Sequence, residues 1–307
     1  MRKELCKELI AQAENPSMIF LTGDLGFMAL EPLQARLGQR FINAGVAEQN
    51  MVSVAAAMAK DGWQSWCYSI APFLFARPFE QIRNDVCLHD LPVKLIGNGG
   101  GYGYGVMGPT HHAIEDYGVL LGLPFMKVFL PCFNEDVAPA IRSASKWQHP
   151  CYVRLGLGEL PAGETAPEYE PWRRVLRGNG PVMVAAGPIA GSAWSALREL
   201  PDADRPDLWI VAELPLSSGA LPEALIENLR AGAELVVVEE HIAHGGLGAM
   251  LIHRLTTDGV PIRRFTGLNA PTLALNAYGS QTFLRQRSGL APEDFRKAVL
   301  SPTQTCV

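Results

Sequence analysis

The stretch FINAGVAEQNMVSVAAAMAKDG, residues 41–62, is the most informative segment of this chain. A short apolar run leads through a turn that contains Gly45 into a helix of small residues that begins near Glu48. A carboxylate in the first turn of a helix is stabilised by the helix dipole, so Glu48 has a structural explanation as well as a functional one. The same succession of apolar run, turn and helix recurs along the chain, which predicts an α/β fold.

The first half of the chain alternates short apolar runs with helical patterns. The predicted helices lie near 47–60, 73–88, 112–121 and 134–147, and the predicted strands are 18–23, 65–70, 93–97, 126–130 and 151–155. Strands that are apolar on both faces and separated by helices are typical of a parallel sheet covered on each side. Residues 1–155 are therefore predicted to form a doubly wound domain.

The second half repeats this pattern on a smaller scale. Residues 156–180 are rich in Gly, Pro and charged residues and show no periodicity, which predicts a linker. Beyond it, helical patterns separate the predicted strands 181–187, 207–214, 234–240 and 262–267. Residues 181–307 are therefore predicted to form a second, smaller doubly wound α/β domain.

The composition is that of a globular protein. Of 307 residues, 48% are hydrophobic and 19% are charged, and the formal net charge of -5 comes with no run of Lys or Arg. This balance excludes a disordered chain and gives no electrostatic reason for nucleic-acid binding. No apolar run reaches the roughly 20 residues of a membrane span, and the N-terminal helix pattern lacks the apolar core of a signal peptide. We therefore predict a cytoplasmic location.

The cysteines are widely spaced, with no CxxC pair and no paired Cys/His spacing. Reduced thiols therefore fit better than a disulfide framework or a zinc site. The cysteines are Cys6, Cys67, Cys87, Cys132, Cys151 and Cys306.

A glycine-rich segment, IGNGGGYGYGVMGPTHHAIEDYG at 96–118, follows a predicted strand. Glycines let the backbone approach a ligand or adopt a positive φ angle. Ligands of open parallel sheets bind in the crevice beyond the carboxyl ends of the strands, where this loop would lie. His111 and His112 are predicted to open the next helix. Adjacent histidines point in different directions and are poor joint metal ligands, and either one has a polar helix-start explanation as well as a functional one.

An aromatic-rich segment, APFLFARPFEQIRNDVCLHDLP at 71–92, contains Phe73, Phe75 and Phe79. An aromatic stripe at helical spacing is usually part of a hydrophobic core. Because this one follows the end of a strand, it could also wall a flat heterocycle, and both explanations stay open.

In this order, the pieces TGDLG (22–26), AGVAEQN (44–50), FEQIRNDV (79–86) and GPTHH (108–112) resemble the pyrimidine-binding half of transketolase and 1-deoxyxylulose-5-phosphate synthase. The resemblance extends through the strand of Arg154. It also includes 234–251 and 278–290, and so covers essentially the whole chain.

The resemblance implies thiamine diphosphate as the cofactor and assigns roles to several residues. Glu48 would hydrogen-bond a nitrogen of the cofactor's pyrimidine ring and is one expected catalytic residue. Phe73, Phe75 and Phe79 would contact the cofactor. His111, the second expected catalytic residue, falls on the family's GPTH motif and would hydrogen-bond a substrate oxygen.

The resemblance also implies a partner chain. Members of the family hold Mg²⁺ and the diphosphate with a GDG motif and a later Asn, in a domain that this chain lacks. The segment GDLG at 23–26 is similar in letters, but it aligns elsewhere, so no metal ligand is expected here. We therefore expect a split enzyme in which an N-terminal transketolase-like subunit with GDG…N binds Mg²⁺, assembled as an α2β2 heterotetramer.

Substrate positions are also assigned by the resemblance. Arg2 and Arg154 match arginines that bind the acceptor phosphate. Met28, Gly99 and Met107 stand near positions where the family has a Ser, a His and an Asp. Loss of these polar groups indicates an acceptor that is less polar, or differently arranged, than a pentose phosphate. The expected reaction is transfer of a two-carbon ketol unit from a ketose or ketose phosphate to an aldehyde.

Other functions stay open at this point. They include a pyruvate-decarboxylating carbon–carbon ligase, the β subunit of a 2-oxoacid dehydrogenase and a non-catalytic scaffold paralogue. A dinucleotide-binding oxidoreductase is disfavoured, because no GxGxxG motif follows the first strand. In the C-terminal domain, which serves mainly assembly in this family, Glu239, Glu240, His241 and His244 are expected to be surface or dimer-contact residues.

Overall fold

A computed structural model describes residues 1–26, 28–216, 219–271 and 277–300. Its first sheet contains six parallel strands in the order β5-β6-β4-β3-β1-β2. These strands are β1 (Met18–Thr22), β2 (Phe41–Asn43), β3 (Gln64–Ile70), β4 (Lys94–Asn98), β5 (Lys127–Phe129) and β6 (Cys151–Leu155). The helices are α1 (Arg2–Gln12), α2 (Glu31–Leu37), α3 (Glu48–Lys60), α4 (Ala71–Phe75), α5 (Phe79–Gln81), α6 (Asp116–Leu120) and α7 (Val137–Lys146). The parallel α/β architecture is confirmed.

The second sheet has the order β12-β11-β8-β9-β7, with β7 antiparallel to β9. Its strands are β7 (Trp172–Leu176), β8 (Val182–Ala186), β9 (Asp207–Val211), β11 (Leu235–Ile242) and β12 (Phe265–Ala270), and the two-residue strand β10 (Glu213–Leu214) follows β9 in the chain. The helices are α8 (Ile189–Leu197), α9 (Glu223–Arg230), α10 (Leu247–Thr257), α11 (Gln281–Arg287) and α12 (Pro292–Leu300). The short strand β10 leaves this sheet and pairs antiparallel with β5 of the first one, so the predicted strand 207–214 divides between two sheets.

A strand lies where the sequence predicts a linker. Strand β7 falls inside 156–180, and its charged side chains hide the strand pattern. Arg173 is buried and donates to both carboxylate oxygens of Asp136, at 2.7 and 2.6 Å. Arg174 pairs with the buried Asp207. Partnered arginines let a polar segment pack as an edge strand. The domain boundaries at 155 and 181 stay a prediction.

The helix predicted over 73–88 is interrupted after Phe75 and changes to π-helical geometry after Gln81. Helix α4 ends at Phe75, and α5 begins at Phe79 and continues into a π-helical turn, Ile82–Cys87. Pro78 explains the first break, because proline disfavours a helical backbone at the preceding residue, Arg77.

The expectation that the β11 histidine and glutamates lie at the surface is wrong for Glu239, Glu240 and His241, which are buried. Glu239 accepts hydrogen bonds from the amides of Leu247 and Gly248, at 2.6 and 3.0 Å, and so caps the first turn of α10. Burial raises the pKa of this carboxyl group. Carboxylates are favoured at helix N-termini, which explains the charge so deep in the sheet.

Glu240 joins the two sheets. Its side chain accepts from the amide of Tyr102, at 2.5 Å, and from Gln281 and Arg285 of α11, at 2.9 and 2.7 Å. His244, in contrast, is exposed as expected.

Cys6, Cys67, Cys87, Cys132 and Cys151 are all free and buried, and Cys306 lies outside the described residues. Burial raises the pKa of the Cys87 and Cys132 thiols to about 12. Across the part of the chain that the structure describes, no helix is long and apolar enough to cross a membrane.

The ring of His241 is held in its neutral form. Its Nδ1 contacts the carbonyl of Ile242 at 2.7 Å, and its Nε2 accepts from the amide of Gly118 at 3.2 Å. Burial lowers its pKa from 6.5 to about 4, while Asp116 raises it and Arg154 lowers it to smaller extents.

We predict that this histidine makes folding sensitive to acid. Between pH 6.5 and 4 the unfolded chain takes up a proton that the folded chain does not, so His241 costs roughly 3 kcal/mol of unfolding free energy as the pH falls through this window. Urea unfolding across pH 4–7 measures the effect. His241→Gln should flatten the profile, and exposed His244→Gln is the control. Identical profiles for all three proteins would contradict the prediction.

Candidate functional site

The candidate site lies at the carboxyl ends of three strands of the first sheet, β2, β3 and β4. Glu48 is the first residue of α3 and follows β2, Phe73 lies in α4 directly after β3, and His111 ends a 3-10 turn after β4. Open parallel sheets bind ligands at this edge. The structure therefore brings together three residues that are widely separated in the sequence.

Glu48 is a buried carboxylate with one cationic partner. It is 7% exposed, and its Oε1 accepts a hydrogen bond from Arg77 Nη1 at 2.6 Å. Helix α3 is held against the sheet by an apolar stripe of small and medium residues. The buried residues of this stripe are Met51, Val52, Ala55, Ala56 and Ala59.

Arg77 and His111 both contact the ring of Phe73. The guanidinium carbon of Arg77 lies 3.6 Å from the ring centroid, and the imidazole of His111 meets the ring edge-on with centroids 4.9 Å apart. His111 Nδ1 also lies 3.0 Å from the hydroxyl of Thr110. Burial, and then the charge of Arg77, lower the pKa of His111, so this imidazole is neutral at pH 7. A neutral imidazole can donate or accept a hydrogen bond to a substrate oxygen.

Tyr104 connects His111 to a cavity. The two rings have centroids 6.5 Å apart, and the hydroxyl of Tyr104 accepts from Asn98 Nδ2 at 2.6 Å. The cavity has a volume of about 420 Å³, and its lining includes Tyr104, Asn98, Gly99 and Arg2. Arg2 and Gly99, both predicted to face the substrate, thus meet in one cavity beside His111.

The glycine loop has a packing role. A side-chain carbon at Gly97, Gly99, Gly100 or Gly101 would collide with a neighbouring side chain of this protein. These neighbours are, in the same order, Tyr152, Tyr104, Arg154 and Glu240. The glycines therefore have a packing role at these four positions, and Gly99 also lines the cavity beside Tyr104. They let buried side chains approach, and the loop gains its shape from them.

His112 does not open the next helix, since α6 begins at Asp116. Instead, its ring is buried and meets Tyr102 edge-on, with centroids 5.0 Å apart. Gly108, with φ of 80°, and Pro109 turn the chain before a helix can start. The two histidines therefore face opposite environments, with His111 toward the site and His112 toward the interior.

Two of the aromatic residues predicted to contact a cofactor lie elsewhere. Phe75 is buried in the hydrophobic core, and Phe79 packs against the same core. The core explanation therefore fits Phe75 and Phe79, whereas Phe73 contacts Arg77, the partner of Glu48. Phe73 and Phe75 point to different sides because they are two positions apart on helix α4.

Arg154 is not placed to bind an acceptor phosphate. It is buried, pairs with Asp116 at 2.8 Å and donates to the carbonyls of Ala113 and Glu240. Every group that it contacts belongs to the interior between the two sheets. Met28 and Met107, predicted near the substrate, are 94% and 53% exposed and do not line the cavity that contains Arg2.

The residues that sequence reasoning missed are Arg77, Tyr104 and Asn98. Arg77 had a local signal, because it follows Phe73 by four positions, a spacing that brings side chains together on helical turns. Asn98 and Tyr104 had none beyond their place in the glycine loop.

The GDLG segment takes part in local structure. Asp24 accepts from Asn43 Nδ2 at 3.0 Å, which ties the ends of β1 and β2 together. Over the described ranges, no group of three or more His, Cys, Asp and Glu side chains could hold a metal ion.

Comparisons with known proteins give a consistent result. Residues 7–162 match the family "Transketolase, pyrimidine binding domain". One subunit of the apulose-4-phosphate transketolase of Phocaeicola vulgatus is 30% identical over 275 residues, which cover 85% of both chains. 1-Deoxy-D-xylulose-5-phosphate synthase of Myxococcus xanthus is 32% identical over 95% of this chain, which spans 49% of that protein. A solved structure described as "Split gene transketolase, inactive beta4 tetramer" is 28% identical, with a TM-score of 0.80 over 97% of this chain and 96% of the other.

We predict that Gly99→Ala displaces Tyr104 from the cavity. The substitution forces a side chain into a positive φ, which costs about 1–2 kcal/mol, and packs it against the tyrosine ring, which costs about 1–3 kcal/mol more. Gly163→Ala is the matched control, since Gly163 also has a positive φ, of 82°, but has no atom within 4 Å of the added carbon. Urea unfolding should show the larger loss for Gly99→Ala. Equal losses would mean that Tyr104 does not pack on Gly99.

Proposed function

Because this chain belongs to the transketolase pyrimidine-binding family, we propose that it is one subunit of a split thiamine-diphosphate-dependent enzyme of the transketolase type. The reaction is transfer of a two-carbon ketol unit from a ketose or ketose phosphate donor to an aldehyde acceptor. The observation that carries this proposal is the row formed by Glu48, Phe73 and His111 at the carboxyl ends of the parallel strands.

The residues present fit the pyrimidine ring of the cofactor. Thiamine diphosphate, when bound, supplies a nucleophilic carbanion that attacks a carbonyl carbon. Glu48 offers a carboxylate shielded from water that can hold or share a proton with a ring nitrogen. Phe73 offers an aromatic face, which already carries a planar guanidinium in this structure. A flat nitrogen heterocycle has an apolar face, which the ring of Phe73 can contact, and a polar edge, which Glu48 can hydrogen-bond.

His111 and the cavity beside it are proposed to hold the reacting substrate. The neutral imidazole of His111 hydrogen-bonds a carbonyl or hydroxyl oxygen near the reacting carbon, where fixed dipoles contribute most to catalysis. Arg2 lines the same cavity as Tyr104 and supplies a cation suited to a phosphate group. The relative from Phocaeicola vulgatus is named for apulose 4-phosphate, which supports a phosphorylated substrate. Met28 and Met107 have no part in this proposal.

The diphosphate and Mg²⁺ are proposed to bind to a partner chain with the GDG…N motif, in an α2β2 heterotetramer. The relative from Phocaeicola vulgatus is named as a single subunit of its transketolase, and the solved split-gene transketolase is described as inactive as a beta4 tetramer. This chain also covers about half of the length of the matched 1-deoxy-D-xylulose-5-phosphate synthase. An active site completed by a second chain is consistent with all three observations.

A pyruvate-decarboxylating ligase is the second candidate. It is favoured by the match to 1-deoxy-D-xylulose-5-phosphate synthase, which covers 95% of this chain. The two activities differ in one product, because the ligase releases carbon dioxide and the ketol transfer does not. Assays of the assembled enzyme with labelled pyruvate or with a labelled ketose phosphate distinguish them. Release of labelled carbon dioxide would replace the first proposal by the second.

We predict that Glu48→Gln lowers kcat of the assembled enzyme by roughly 10²–10⁴, the usual range for loss of a group that manages a proton. Its amide keeps the size of the side chain but does not share a proton. Exposed Glu80→Gln, on the neighbouring helix, is the matched control and should keep its kcat. Steady-state kinetics with partner chain, thiamine diphosphate and Mg²⁺ provide the measurement.

Two results would contradict the proposal. Full activity in Glu48→Gln would remove the assigned role of this carboxylate. If the wild-type chain, mixed with its partner, does not bind thiamine diphosphate, the proposed enzymatic function is wrong and a non-catalytic scaffold is favoured.

A further inference from the structure

The side chain of Arg77 makes the two contacts that a cofactor pyrimidine ring would make. Its Nη1 donates to Glu48 Oε1 at 2.6 Å, and its guanidinium carbon Cζ lies over the ring of Phe73, 3.6 Å from the ring centroid. These are the two groups, a buried carboxylate and an aromatic face, that a cofactor pyrimidine would contact. A guanidinium resembles such a ring because it is planar, carries N–H donors along its edge and stacks on aromatic faces.

The pyrimidine seat is the place bounded by the carboxylate of Glu48 and the ring of Phe73. We propose that the side chain of Arg77 occupies this seat in the unliganded protein and must rotate out of it before the cofactor binds. The inference rests on the proposed function, since it takes Glu48 and Phe73 as the pyrimidine contacts. It assigns Arg77 as a positioning residue that controls access to this seat.

The exposures of the two partners fit such a movement. Glu48 is 7% exposed and would be a buried charge without a partner if nothing replaced Arg77. Arg77 is 43% exposed, so its guanidinium can return to water by rotation of its own side chain. The backbone around it is already outside a helix, between α4 and α5, and no helical hydrogen bond is lost. The arriving pyrimidine would take over the hydrogen bond to Glu48.

Movement of Arg77 also changes the charge around His111. Arg77 lowers the pKa of His111 in the present arrangement, and both side chains contact the ring of Phe73. The imidazole therefore stays next to the seat whichever group fills it. A single side-chain rotation thus links filling of the seat to the electrostatics of the residue proposed to touch the substrate.

The consequence for affinity follows from competition. When a binding-competent state is a fraction of the unliganded protein, the apparent Kd rises by the inverse of that fraction. In the closed state the side chain of Arg77 fills the seat, and the substitution Arg77→Ala eliminates this state. Arg77→Ala should therefore bind thiamine diphosphate more tightly than the wild type, about tenfold if the pair is closed in about ten of eleven molecules.

The experiment is a calorimetric titration of thiamine diphosphate, with Mg²⁺, into the assembled enzyme. Arg77→Ala should show the lower Kd, and Arg77→Lys, which keeps the charge but loses the planar stack, an intermediate one. Arg83→Ala is the matched control, since the exposed side chain of Arg83 makes one side-chain hydrogen bond among the described residues, to the adjacent Asn84. Thermal melting of each unliganded protein checks folding. If Arg77→Ala does not fold, Arg77→Lys decides alone.

Unchanged or weaker binding in the folded Arg77 variants, with a wild type that binds, would overturn this inference and leave the proposed function intact. Weaker binding would make Arg77 a group that holds the cofactor. No binding by the wild type would instead contradict the proposed function itself, and this inference with it.

Discussion

The carboxylate of Glu240 fixes the relation between the two sheets on which the site depends. It is 4% exposed and accepts from the amide of Tyr102 in the glycine loop and from Gln281 and Arg285 of α11. Its carbonyl accepts from Arg154, which pairs with Asp116. Loss of one partner from such a buried pair costs about 3–5 kcal/mol, so this network holds the loop in one position. Tyr104 and His111 lie on the same stretch of chain and take their places from it.

The site itself is a row of contacts from an acidic to a basic end. Glu48 pairs with Arg77, Arg77 and His111 share Phe73, and Tyr104 continues the row to the cavity that contains Arg2. Glu48 is buried at the acidic end of the row, whereas Arg2 lines a cavity together with Tyr104, Asn98 and Gly99.

Much of the fold could be predicted from the sequence, because β1, β3, β4 and β6 consist mostly of apolar residues and turns separate them from helices. Strand β7 could not, since its arginines depend on distant aspartates, and Pro78 breaks a helix that periodicity alone would continue. Of the candidate site, Glu48, Phe73 and His111 could be proposed from the sequence, because they belong to pieces whose order resembles that of the transketolase family. The burial of Arg154 and the interior role of Glu240 depend on contacts between the sheets, which no local pattern reports.

We propose that Glu48 and Phe73 form the pyrimidine seat of a cofactor shared with a second chain. The decisive measurement is a crystal structure of this chain assembled with its partner, thiamine diphosphate and Mg²⁺. We expect a pyrimidine nitrogen within hydrogen-bond distance of Glu48, the ring of Phe73 against the heterocycle, and Arg77 turned away from both. A cofactor bound elsewhere, with Glu48 still paired to Arg77, would contradict it.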